Sequence, residues 1–396
     1  MTIADQACPQ AALTWTKRLI AIDTTSRHSN LGLIELVRDT LKNSGVGAHL
    51  SYNRERNKAN LFATVPATDG SVQGGIVLSG HSDVVPVDGQ DWTSDPFKPE
   101  VRGGRLYGRG SCDMKGYIGA ALSLLPDMLA AGLRKPIHFA LSYDEEVGCL
   151  GAPVMLADLV ERGVRPDGCI VGEPSSMRPI MAHKGVHIWR CKVHGRAAHS
   201  SLAPQGVNAI EYAARIIAHI RAEADAMQAA GPADPAFDVP FSTAQVCLIQ
   251  GGIAVNTVPA FCQFHVDHRN LPGVDAARFG DSVRGHIQGT VLPQMRAEHP
   301  DADVALESLA HVPAFEASED AAVTQMVRRL AGVHEVHKVA YASEAGQFEA
   351  AGIPTIICGP GDIVQAHAAD EYVSLEQLGR CHRFLSGVIR ELSAAG

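Results

Sequence analysis

In residues 79–89, SGHSDVVPVDG, His81 and Asp83 stand one residue apart at the end of the apolar run GGIVL. A buried strand carries such titratable side chains only where they are paired or bound to a metal. The same pattern recurs along the chain. IHFALSYDEE ends in Asp144, Glu145 and Glu146, and GCIVGEP ends in Glu173. The last apolar run is followed by GPGDIVQAHAADE, which offers His367, and YGRGSCDMKG places Asp113 at a helix start. Singly, each feature has an ordinary reading. An isolated HxD is a turn pair, an EE pair is a solvated end, and Asp113 is a helix cap. Jointly, they put several carboxylates and two imidazoles at the carboxyl ends of strands, where open α/β sheets bind ligands.

So many anions in one pocket repel and raise each other's pKa. Two divalent cations would resolve this. If Asp113, Glu146, Glu173, His81 and His367 are the ligands, three negative charges face four positive ones, and a bridging hydroxide makes the centre neutral. With Asp113 shared, each ion has three protein ligands and an open position, and the ions lie about 3.5–4 Å apart. Asp83, two residues beyond His81, would fix the imidazole tautomer through its side chain. Glu145 is left beside a ligand, placed to take a proton from water and return it to a leaving group.

The elements that must position these residues are legible. Near-continuous apolar strands (NLFATV, GGIVLSG, IHFALSYD, GCIVGE and IPTIICGP) alternate with helices, the pattern of an α/β fold with a mainly parallel sheet flanked by helices. Residues 10–45 read as helical, MKGYIGAALSLLPDMLAAG as a helix, and a final helix begins near 374. HIWRCKVHG and CQFHVDHRNL alternate like half-exposed strands, with helices starting near Val207 and Asp275 and a loop over 225–240. This order predicts a smaller inserted α+β domain, ferredoxin-like, at 184–312, leaving 1–183 and 313–396 as the metal-binding catalytic domain.

A chain of 396 residues suits two domains. Its net charge of −9 argues against nucleic acid or an anionic membrane as partner. No apolar run is long enough to span a bilayer. The N-terminal MTIADQACPQAALTW lacks the form of a secretory signal. Nine scattered cysteines without a CxxC pair read as reduced thiols of a cytoplasmic protein. No GxGxxG or GxxxxGK[ST] loop supports a nucleotide-dependent enzyme.

SGHSDVVPVDG, YGRGSCDMKG, YDEEVGCLGA and VGEPS resemble the successive motifs of the M20 family of dinuclear zinc amidohydrolases and exopeptidases. The resemblance implies that His81 and Glu173 bind one zinc, Glu146 and His367 the other, and that Asp113 bridges them. It makes Glu145 the general base and Asp83 the partner of His81. GRAAHSS matches the motif whose histidine, here His199, reaches the substrate carbonyl, often across a dimer contact. GGIAVNTVP places Asn256 in the substrate site, and HRNLPG places Arg269 on the substrate's carboxylate. The inserted domain would act as a lid and as the interface of a homodimer. The expected substrate is a small N-acyl amino acid, with a dipeptide or a succinylated substrate as alternatives. Zinc is the expected ion, and cobalt or manganese also fits the donors. Glu344, in SEAGQF, is expected to pair with a cationic substrate side chain. The alternative of another class is a metal-binding scaffold without catalysis, for which Glu145 would be superfluous.

Overall fold

Three apolar runs form the heart of the first of two compact units. In a computed structural model, which describes residues 8–393, the strands Ile76–His81, Ile137–Ser142 and Gly168–Pro174 are buried at every position. Such burial is expected of strands covered on both faces. Ile76–His81 lies in the middle and pairs in parallel with the other two. Thr355–Gly359 adds in parallel to Gly168–Pro174. On the other side, Ala59–Val65 and then Ala48–Tyr52 extend the sheet antiparallel. The fold is therefore α/β with a mainly parallel central sheet. Parallel pairing brings the carboxyl ends of the strands to one edge, with His81 in register with Ser142. The segments beginning at residues 82 and 143 thus emerge side by side, and Glu173 ends the third strand.

The N-terminal helical stretch is interrupted. Gln10–Ile20 and Leu31–Asn43 are helices, but the intervening backbone bonds to the segment after His81. Ser26 N donates to Val84 O at 3.0 Å and Val84 N donates to Thr24 O at 3.1 Å. A helix cannot continue where its backbone groups are already engaged elsewhere. The helix after Asp113, Lys115–Ser123, is buried from Lys115 to Leu122. It sits tightly on the sheet: a Cβ on Gly172 would lie 2.1 Å from the Tyr117 ring. Only glycine allows this approach, one residue before Glu173. A three-stranded antiparallel sheet of Glu100–Arg102, Arg105–Tyr107 and Tyr372–Ser374 flanks the loop that carries Asp113.

The second unit comprises His183–Ala314 and Lys338–Ala342. Its order is strand Gly185–His194, helix Ala209–Ala230, strands Thr243–Gly251 and Phe261–Asn270, helix Ala277–His286 and strand Asp303–Val312. The four strands form an antiparallel sheet with Thr243–Gly251 at one edge and Asp303–Val312 at the other. Trp189, Tyr212, Ile216, Phe264 and Phe279 are among the residues of its core. The helix runs six residues into the stretch expected to be a loop, because alanine-rich sequence favours helix until Gly231 stops it. Residues 338–342, expected to stay with the catalytic domain, pack with this unit instead.

Candidate metal centre

Asp83 organises the site, though not through the contact its spacing suggests. His81 Nδ1 lies 2.9 Å from the Asp83 carbonyl oxygen and 3.7 Å from its carboxylate. The backbone, not the side chain, therefore sets the tautomer. A carbonyl oxygen only accepts, so Nδ1 carries the proton and Nε2 points its lone pair into the site. The Asp83 carboxylate is turned elsewhere. It accepts from Ser26 Oγ at 2.7 Å, Glu145 N at 3.1 Å and Glu146 N at 3.3 Å. Asp83 thus hangs the acidic turn 145–146 beside His81. Behind that turn, Asp144 takes a left-handed backbone (φ 54°) and pairs with Lys58 Nζ at 2.5 Å.

The five expected ligands converge around Asp113. His81 Nε2 is 2.9 Å from Asp113 Oδ1 and 3.8 Å from Glu173 Oε1. His367 Nε2 is 3.3 Å from Asp113 Oδ2 and 3.0 Å from Glu146 Oε2. Each Asp113 oxygen therefore faces a different histidine with its own carboxylate partner. Glu145 reaches the same centre, with a carboxylate oxygen within 4.8 Å of ligand atoms of both His81 and Glu173. His367 adopts a left-handed backbone (φ 59°), the kind of local strain that persists where surrounding structure enforces it.

The electrostatics of the cluster describe a need for positive charge. Burial raises Glu145 to about 8 and Glu146 to about 7. Burial and the Asp113 charge push Glu173 well above the usual carboxylate range. Burial opposes a charge on His81, but the Asp113 hydrogen bond and nearby carboxylates outweigh it and raise the imidazole. Hydrogen bonds to Asp113 and Glu146 raise His367 to about 10. Burial alone would raise Asp113, yet the two histidines hold it low. Glu173 Oε1 is buried, with no hydrogen-bond partner among the described residues. With Nδ1 protonated, a neutral His81 would face Asp113 lone pair to lone pair, and only a second proton or a cation can sit between them. Aspartate, glutamate and imidazole donors oriented in this way fit a pair of divalent ions.

The remaining expected residues are placed as follows. Glu344 is wholly buried, and the hydroxyls of Ser79 and Ser142 each donate to it at 2.6 Å. It braces two parallel strands from beneath. The expected pairing with a cationic substrate side chain has no support in these contacts: the carboxylate has no exposed surface, and each of its oxygens accepts a serine hydroxyl. In the second unit, His199 and Asn256 are exposed on adjoining loops, with Ser200 N donating to Asn256 O at 2.9 Å. His199 Nδ1 accepts from Ser201 N at 3.3 Å, so the neutral ring carries its proton on Nε2. Arg269 lies on the strand Phe261–Asn270, its Nε and Nη2 on the Asp267 carboxylate at 3.1 and 3.2 Å. Sequence reasoning missed Glu371, a buried carboxylate that accepts from the backbone around Asp113. The available signal was an acidic residue directly before the short strand Tyr372–Ser374.

Residues 77–391 match the model of peptidase family M20/M25/M40. The chain is 34% identical to the acetylornithine deacetylase of Proteus mirabilis (strain HI4320) over 362 residues, 91% of this chain and 89% of that one. Its fold is similar to aminopeptidase PepT from Bacillus cereus ATCC 10987, with a TM-score of 0.74, 19% identity and coverage of 98% and 99% of the two chains. It is also similar to the Bacillus subtilis YXEP protein, a dinuclear metal binding peptidase from the M20 family, with a TM-score of 0.65, 14% identity and coverage of 98% of each chain. The chain therefore belongs to peptidase family M20/M25/M40 and is a metal-dependent amidohydrolase, similar over most of its length to an acetylornithine deacetylase.

Proposed function

We propose that this enzyme removes the acetyl group from N2-acetyl-L-ornithine, giving acetate and L-ornithine in arginine biosynthesis. The observation that carries this reading is the similarity to acetylornithine deacetylases over about nine-tenths of the chain, at 34% identity for the one from Proteus mirabilis.

His81, Asp113 and Glu173 would hold one ion, and Asp113, Glu146 and His367 the other. The facing of Asp113 Oδ1 and Oδ2 toward different histidines supports this division. Zinc suits these donors, as do cobalt and manganese. When bound, the ions polarise the amide oxygen and ease loss of a proton from the attacking water. The other steps belong to the protein. Glu145 takes that proton and delivers it to the departing amine nitrogen. Bound cations would favour the ionised form of Glu145, the state a general base needs. Arg269, held by Asp267 through Nε and Nη2, meets the substrate carboxylate with its remaining Nη hydrogens. Asn256 positions the amino-acid end, and Nε2–H of His199 donates to the developing oxyanion. The inserted unit acts as a lid that excludes water.

We also propose a homodimer formed through the inserted unit. Its edge strand Thr243–Gly251 and the following loop expose Leu248, Ile249, Ile253 and Val255, an apolar set of the kind that marks an interface. Sedimentation should give a dimer for the wild type and a monomer for Leu248→Lys/Ile253→Asp; two monomeric species would refute the interface. A cytoplasmic location is supported by nine free thiols, seven of them buried. No helix among the described residues is long and apolar enough to cross a membrane.

The test of the substrate is turnover by the metal-loaded protein on N2-acetylornithine, N-acetylmethionine, succinyl-diaminopimelate and a dipeptide. The reading expects the highest kcat/KM for acetylornithine, and a higher value for any other member replaces it.

Glu145→Gln should lower kcat by about 10²–10⁴-fold while both ions remain bound, read by turnover beside metal analysis of the same sample. Retained turnover removes the assigned role.

Metal binding should displace protons. Near pH 7, Glu146 (about 7), Glu145 (about 8) and His367 (about 10) hold protons in the metal-free protein. Raising the pH strips those protons first, so apparent zinc affinity should rise between roughly pH 6 and 9, with net proton release at pH 7. Calorimetry in buffers of different ionisation heat measures this, and identical heats would contradict it.

A further inference from the structure

Asp113 and His367 sit on separate loops, and the chain that joins them passes through one buried ion pair. Glu371 and Arg109 are each 1% exposed. Glu371 Oε1 accepts from Cys112 N at 2.9 Å and from Asp113 N at 3.1 Å. Glu371 Oε2 accepts from Gly110 N at 3.0 Å and from Arg109 Nη1 at 2.8 Å. Two carboxylate oxygens thus take four donors, which uses the full accepting capacity of the group. Arg109 then reaches the other loop. Its Nη1 donates to Ala368 O at 3.3 Å and its Nη2 to Gln90 Oε1 at 2.5 Å. Gln90 completes the path, with Nε2 donating to the His367 carbonyl at 2.8 Å. The indole of Trp92 donates to Gln90 Oε1 at 3.1 Å and fixes that amide's orientation.

Nothing in the proposed reaction uses this pair, yet it lies under the backbone of two proposed ligands. Its burial needs a reason, because a desolvated ion pair adds little net stability over apolar packing. An acceptor of four converging N–H groups at this point has to be a carboxylate. A glutamine would turn its NH2 either against two backbone amides or against one backbone amide and the guanidinium. The geometry also explains how His367 holds a left-handed backbone (φ 59°): the carbonyls of His367 and Ala368 are both tied down.

We propose that Glu371, Arg109 and Gln90 are positioning residues that set the separation of Asp113 and His367, and so the affinity for the ion held by His367 and, through Asp113, for both ions. This inference rests on the metal reading given above. The order of the path makes it specific. Glu371 acts on Asp113, which serves both ions, whereas Gln90 acts only on the His367 end.

The experiment titrates the metal-free full chain with cobalt and follows the visible ligand-field spectrum and the affinity of each equivalent by chelator competition. Thermal unfolding of every sample checks the fold. Wild type should take two equivalents, and His367→Ala should lose the equivalent that depends on that histidine. Gln90→Ala, which removes no buried charge, should weaken that same equivalent by about 10–100-fold, the usual effect of losing a group that orients a ligand. It should leave the other equivalent as in wild type. Glu371→Gln should weaken both. If Glu371→Gln does not fold, Gln90→Ala decides alone. A folded Gln90→Ala protein that binds both equivalents with wild-type affinity and spectrum overturns the brace. Wild type that fails to take two equivalents overturns the metal reading, and the brace with it.

Discussion

Carboxylates in one buried pocket cannot all stay ionised unless positive charge lies between them. Asp113, Glu145, Glu146 and Glu173 meet at a single edge of the sheet, with two imidazoles set against them. In water such charges would repel weakly, but in a low-dielectric interior the repulsion is strong enough to hold protons on side chains near neutral pH. The directions of the shifts agree: carboxyls other than Asp113 move up, and both histidines move up. The cluster is thus built for cations, with protons as the competing occupants.

The scaffold makes this concentration of charge possible. Parallel strands deliver their carboxyl ends together, and backbone contacts then aim the side chains. The Asp83 carbonyl fixes the His81 tautomer, while the Asp83 carboxylate holds the backbone of Glu145 and Glu146. One residue therefore positions a proposed ligand and the neighbouring proposed proton carrier at once. Beneath the site, Glu344 ties Ser79 to Ser142 and keeps the strands carrying His81 and the acidic turn in step. At the side, Glu371 holds the loop of Asp113. Three buried carboxylates support the site without belonging to the proposed ligand set, and each is satisfied by hydrogen bonds. A buried anion is tolerated on those terms.

In the proposed reaction the two units would carry different parts of the chemistry. The α/β unit holds the charge cluster on rigid strand ends, where positions vary little. The inserted unit presents His199 and Asn256 on exposed loops, and Arg269 on a strand with Asp267 beside it. Tight placement suits proton transfer, whereas exposed donors would suit entry and release of the proposed small polar substrate.

Much of this was legible in the sequence, because burial leaves a mark on residue type. Apolar runs announced the strands, and the titratable residues at their ends announced His81, Asp113, Glu145, Glu146, Glu173 and His367 as a group. The order β-α-β-β-α-β of the inserted unit was readable from alternation and helical spacing. What stayed hidden depends on which atoms meet after the chain closes. Spacing put Asp83 next to His81 but could not say that the carbonyl, and not the carboxylate, makes the bond. Glu344 looked available to a substrate until folding placed two serines, 265 and 202 residues away in sequence, against it. Glu371 gave no local sign that its partners lie 258–262 residues earlier. A local pattern records whether a residue is buried. Only tertiary structure decides what a buried polar atom is paired with, because that partner is chosen by distance in space.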